Sequence, residues 1–280
     1  DRLMTQFRRA RDKGEEELRR WASQHLNVQI GMALHANRWR GADYWTRAGE
    51  PSSPDLAGLA GLRWILSRCD VATAGIDGGG LDDLFALGVI GRDRETRDWW
   101  AWGRAWAHDD VLDLRKDIAE QLRDFQRDGD LVICEDPEQP IREAAEIIAE
   151  VAASGLLPEK YGVGLDPYAV AALVDELATK NIEGEQLSAI RQGAALSPAS
   201  WGAEIKLKNR TLRHLSQPLL AWSVGNAKAE VRGGATLITK ETAGRAKIDP
   251  LIGVFNAIML MSRNPEAGMM RIGSDALVVV

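Results

Sequence analysis

The chain has 280 residues, a net charge of −6, 45% hydrophobic residues and 27% charged residues. That length holds one large domain or a domain with an appendage, and the composition is that of an ordinary globular protein. The acidic balance excludes a uniformly basic nucleic-acid binder but leaves room for a local basic strip. No apolar run nears the roughly 18 residues that span a bilayer.

Residues 2–26 carry Leu3, Phe7, Ala10, Leu18, Trp21 and Leu26 at helical spacing among Arg and Glu, which predicts a helix. This charged start does not read as a signal peptide, and Asp1 reads as the start of a fragment or processed product. Residues 27–55 are irregular, with Trp39, Tyr44 and Trp45 suited to packing and a turn signal from Gly49 to Asp55. A short helix is predicted over 55–68. Three strands follow at 71–77, 84–91 and 96–106, an antiparallel meander. Next come a helix over 109–130, a strand over 131–136, a helix over 140–155 with a Gly stop, and a strand over 161–166. A helix over 167–180, a strand over 187–193 and a helix over about 198–215 complete the alternation. Residues 227–240 read as a hairpin turning at Gly233-Gly234, and 247–264 as a strongly apolar helix. Three strands followed by alternating helix and strand predict an α/β fold with a mixed sheet.

Several chemistries are excluded or disfavoured. Cys69 and Cys134 lack metal spacing and read as buried thiols. No phosphate loop of the G-x-x-x-x-G-K-[ST] type occurs. His25, His35, His108 and His214 form no ligand-spaced pair, and Ser197 and Ser200 belong to no hydrolase constellation in sequence. The Trp99–Trp106 cluster suits sheet packing better than base stacking.

Three acids sit where apolar residues belong. Asp77 ends the first strand before Gly78-Gly79-Gly80, Asp166 ends a later strand before Pro167, and Asp249 opens the last helix before Pro250. Asp166 and Asp249 also suit plain helix caps, and Asp77 a turn. If the three converge, their mutual repulsion calls for divalent cations, and an all-oxygen set suits Mg²⁺ or Mn²⁺. Two such ions about 4 Å apart can promote phosphodiester hydrolysis. Nearby, residues 206–247 hold Lys206, Lys208, Arg210, Arg213, Lys228, Arg232, Lys240, Arg245 and Lys247 against only Glu230 and Glu241. That strip suits either phosphate contact or a solvated charged face.

Four pieces in order carry a resemblance over roughly residues 61–264: "GIDGGGLDDLFALGVI", "YGVGLDPYAVAALVDEL", the run Leu212, His214, Pro218, Leu220, Trp222 and Asn226, and "KIDPLIGVFNAIMLMSR". The chain resembles the C-terminal nuclease part of phage large terminases, the DNA-packaging motors of tailed phages. The resemblance implies a ribonuclease H-like fold over 61–280 and a helical connector over 1–60 that follows an ATPase domain. It implies a two-metal DNA endonuclease with Asp77, Asp166 and Asp249 as catalytic metal ligands and Asp83 as a second-rank acid. Lys228, Arg232, Lys240, Arg245 and Lys247 would hold double-stranded DNA. Implied partners are the ATPase domain, portal and small terminase subunit, in the host cytoplasm; the fragment itself is expected to be a monomer with no membrane contact. The triple glycine departs from the family's common Ser/Thr and puts hydroxyl contacts there in doubt. Two alternatives stay open: another ribonuclease H-like nuclease such as a resolvase or transposase, or a DNA-gripping module without catalysis.

Overall fold

The computed structural model describes residues 2–12, 37–80, 82–166, 171–240 and 247–268. The elements run α1 (Arg2–Asp12), α2 (Ala42–Ala48), α3 (Leu59–Arg68), β1 (Cys69–Asp77), β2 (Phe85–Asp93) and β3 (Trp99–His108). Then come α4 (Asp110–Leu114), α5 (Ala119–Arg127), β4 (Leu131–Cys134), α6 (Gln139–Ala153), β5 (Val163–Leu165), α7 (Ala171–Thr179) and β6 (Leu187–Ala189). The chain continues through α8 (Ser197–Asn209), β7 (Leu212–His214), α9 (Pro218–Gly225), β8 (Ala227–Arg232), β9 (Ala235–Lys240) and α10 (Asp249–Met261).

The sheet order is β4-β3-β2-β1-β5-β6, with β7 on the same edge of β3 as β4. β1, β2 and β3 pair antiparallel, while β5 runs parallel to β1. β1 and β2 are buried on both faces, which is why they read as near-continuous apolar runs. Leu62, Ile65, Ala144, Ile148, Leu173 and Leu177, from α3, α6 and α7, pack with Trp100, Trp102 and Trp106 of β3 on one face. The other face carries α10, α8 and α9 together with Trp39 and Trp45. Residues 37–48 therefore share the core of the sheet domain, ahead of the boundary expected near residue 60. The tryptophan cluster is core; the indole N–H groups of Trp102 and Trp106 donate to Gly58 O and Glu143 Oε2.

A row of glycines across the sheet sets the position of α10. Gly75, Gly88 and Gly103 are successive cross-strand partners. A Cβ on Gly75 would stand 2.3 Å from Gly253 O and Ala257 N, and one on Gly88 2.3 Å from Val254 N. The helix backbone thus lies directly on the strands, and only glycine permits that approach. Thr73 Oγ1 donates to Ala257 O and Asn256 Nδ2 donates to Ile76 O, fixing the helix along β1.

Two expected helices break. The expected 109–130 helix interrupts at 115–118, which resets its apolar stripe so that Ile118, Leu122 and Phe125 all face the sheet while Leu114 points out. The expected 198–215 helix stops at Asn209, because Arg210 adopts a left-handed conformation and Leu212–His214 then add to the edge of β3. Between β7 and β4 that edge leaves Gly103 exposed to the interior. The Gln217 side-chain amide fills the gap, accepting from Gly103 N–H and donating to Gly103 O and to Asp130 Oδ1. The hairpin turns at Gly233-Gly234 as expected, both with positive φ.

Candidate metal centre

The three acids come from three segments joined at one point. The Ile76 carbonyl accepts from Asn256 of α10 and from the backbone N–H of Asp166, 3.3 Å away. Asp77 follows Ile76 on β1, Asp166 follows β5, and Asp249 is the first residue of α10. All three line one cleft of about 380 Å³, with Gln192, Gly193, Leu196, Ile238, Thr239, Lys240 and Ile252. The α10 end is pinned by α9: Leu251 N–H donates to Ser223 Oγ, and Asn226 Nδ2 donates to Lys247 O. Gln192 Nε2 donates to Asn256 Oδ1, closing the floor.

Asp249 is not the helix cap that its Asp-Pro context suggested. The cap position belongs to Ile248, which makes no side-chain capping bond, and Asp249 is the first residue of the helix. It is only 8% exposed, and among the described residues its Oδ2 is buried without a hydrogen-bond partner. Burial and then the Asp83 charge raise its pKa to about 7. Burial raises Asp77 well above the usual carboxylate range, and the charges of Asp249, Asp166 and Asp83 add to it. An orphaned buried carboxylate oxygen beside two further acids is the donor chemistry of a hard divalent ion. The residues present therefore fit Mg²⁺ or Mn²⁺, although among the described residues no three acids are already closed around a single ion.

Asp83 is committed elsewhere. Burial would raise its pKa, but Lys247 and Lys240 overcome that and hold it low. Lys247 Nζ lies 2.5 Å from Asp83 Oδ1 and donates to Asp82 O at 2.7 Å; Lys240 Nζ lies 3.3 Å from Asp83 Oδ2. Lys247 is 1% exposed, so its place among DNA-contacting bases is corrected: its ammonium is inside the protein. Asp82 pairs with Arg115.

The rest of the basic strip divides. Lys240 stands at the rim of the cleft, and Arg232 is exposed near the hairpin tip beside Glu230. Lys228 is half-buried on β8, where its backbone bridges to Arg38. Arg245 lies outside the described residues. Lys206 lies over the Trp99 ring and Arg213 pairs with Glu50, so these two serve packing. His214 is also structural: its ring stacks on Trp45, Nε2 donates to Trp45 O, and Nδ1 accepts from Ser216 N–H. Burial lowers its pKa to about 4. The supporting roles of Gln192 and Ser223 had no local sequence signal; Asn226 and Asn256 were visible only within the pieces that carry the resemblance, and Lys247 only there and as one of the basic strip.

No family model matches the sequence, and no curated protein matches it. Solved structures do. The large terminase of bacteriophage HK97 is similar with a TM-score of 0.53 and 16% identity, over 74% of this chain and 42% of that one. The g2p large-terminase nuclease domain of bacteriophage SPP1, solved with bound Mn, has a TM-score of 0.43 and 12% identity over 78% and 97%. The large-terminase nuclease of thermophilic phage G20c, solved with bound magnesium, has a TM-score of 0.41 and 10% identity over 68% and 80%. The chain spans less than half of the HK97 protein. At 16% identity the likeness to the HK97 structure shows the fold alone: a ribonuclease H-like mixed sheet flanked by helices.

Proposed function

We propose that this chain is the DNA-cutting part of a phage large terminase, a metal-dependent endonuclease that severs double-stranded concatemers during genome packaging. One observation carries the reading: Asp77, Asp166 and Asp249 share one cleft, and an Asp249 oxygen is buried there with no hydrogen-bond partner among the described residues. Asp77, Asp166 and Asp249 would together hold two divalent ions. Bound there, Mg²⁺ or Mn²⁺ supplies Lewis acidity toward a phosphodiester and a lowered pKa for water.

The protein's own residues position and neutralise. The carboxylates stay anionic for binding once a cation offsets their repulsion. Lys240 at the rim meets a backbone phosphate, and Lys228 and Arg232 on the hairpin extend that contact; Arg245 is assigned the same task from its sequence position. Ile238, Ile248 and Ile252 make an apolar wall that limits water at the reacting group. In the full motor the ATPase domain, portal and small terminase subunit would be partners, and the host cytoplasm the place of action. No helix among the described residues is long and apolar enough to cross a membrane.

Supercoiled plasmid incubated with Mn²⁺ or Mg²⁺ tests the reading. Nicking by the parent, lost on chelation and lost in a folded Asp77→Asn variant, supports it. DNA binding without cutting in any metal supports a gripping module instead.

A further inference from the structure

We infer that Lys247 is a positioning residue that holds two of the three cleft acids in register, an inference that rests on the proposed nuclease site. Lys247 stands two residues before Asp249, and its ammonium reaches back to the corner that follows Asp77 and the glycine run. There it donates to Asp82 O at 2.7 Å and Asp83 Oδ1 at 2.5 Å. The corner is set up to receive it: Asp83 N–H donates to Gly80 O, and Leu84 N–H donates to Asp83 Oδ1. The Lys247 backbone is itself fixed, since its carbonyl accepts from Asn226 Nδ2.

The ammonium is thus a crosslink between the segment leaving Asp77 and the segment entering Asp249. The link is needed because Gly78, Gly79 and Gly80 give the chain after Asp77 no stiffness of its own. A buried Lys–Asp pair contributes little net stability compared with apolar residues of the same size, but it specifies one geometry. Asp83 therefore acts as the anchor for Lys247, with Lys240 on its second oxygen, and not as a metal ligand.

The test titrates Mn²⁺ into the parent, Lys247→Met, Asp83→Asn, the double variant and Lys247→Arg, reading the metal-induced rise in Tm alongside plasmid nicking. Groups that orient metal ligands through other residues typically change metal affinity by about 10–100-fold. Lys247→Met and Asp83→Asn should each raise the Mn²⁺ needed for half the thermal shift by about tenfold. The double variant should be no worse than either single change, because both break the same link. Lys247→Arg should recover part of the loss, and saturating Mn²⁺ should restore most of the nicking rate. Where Lys247→Met does not fold, Asp83→Asn and the double variant carry the comparison. A parent-like Mn²⁺ response in the variants overturns the inference, as does weakening by Asp83→Asn with tightening by Lys247→Met, which makes Asp83 a ligand. A parent that binds Mn²⁺ but never nicks defeats the nuclease reading and leaves the positioning inference intact.

Discussion

Asp249 joins chemistry and stability in one side chain. Its carboxyl is neutral by preference in the fold, with a pKa near 7, and ordinary when unfolded. The stability from its neutral form is therefore fully present below about pH 4 and is lost as pH rises toward 7. Asp249→Asn keeps the shape without the charge. In metal-free protein it should raise Tm by at least several degrees at pH 8 and by little at pH 4, while removing Mn²⁺-dependent nicking. A scanning calorimetry series over pH reads the first effect directly; equal Tm gains at both pH values would show that the charge is not the cause. Metal competes with the proton, so the Mn²⁺-induced Tm rise should itself grow from pH 5.5 to pH 8. At this scale the acids were legible because each interrupts an apolar run. Lys247 was misread, because one lysine in a basic strip carries no sign of burial; only the fold shows it turned inward.

At the scale of elements, the glycine trough under α10 carries the geometry. Gly75→Ala places a methyl against helix backbone that cannot move aside. Overpacking of this kind costs about 1–3 kcal/mol. The urea midpoint should fall accordingly, and the Mn²⁺-induced thermal shift should weaken because Asp249 rides on the displaced helix. A stability loss with an unchanged metal response would separate helix seating from the site. Gln217→Ala should be as damaging as a core cavity, since it leaves the Gly103 amide and Asp130 without their partner, at about 1–3 kcal/mol for each orphaned group. The meander, the hairpin and α10 were readable from period and turn chemistry. β7 was not: three residues, Leu212–His214, are too few to show a period, and only a gap on the β3 edge calls for them. The break between α4 and α5 was equally silent, because the apolar stripe on each side is helical and the reset is a tertiary demand.

Across the whole molecule, an acidic chain is asked to hold a polyanion, so the local distribution of charge matters more than the net −6. Lys228, Arg232 and Lys240 lie on the one hairpin that walls the cleft. Each phosphate contact adds roughly 0.9 to the slope of log affinity against log salt. Replacing all three by alanine in an Asp77→Asn background should flatten that slope by about two to three; an unchanged slope would put the DNA elsewhere. The antiparallel meander of β1, β2 and β3 and the mixed character of the sheet were readable from the sequence, but the place of β5 beside β1 was not. Nor was the meeting of Asp77, Asp166 and Asp249, because the acids lie far apart in sequence and only the parallel β1–β5 pair and the seat of α10 bring them together.

Anomalous diffraction from crystals soaked in Mn²⁺ shows whether the three acids hold metal. Anomalous peaks are expected in the cleft, bound by the carboxylates of Asp77, Asp166 and Asp249 and lost in Asp77→Asn. Peaks that form away from these three acids, or a cleft that stays empty while Mn²⁺ binds elsewhere on the chain, would contradict the metal site.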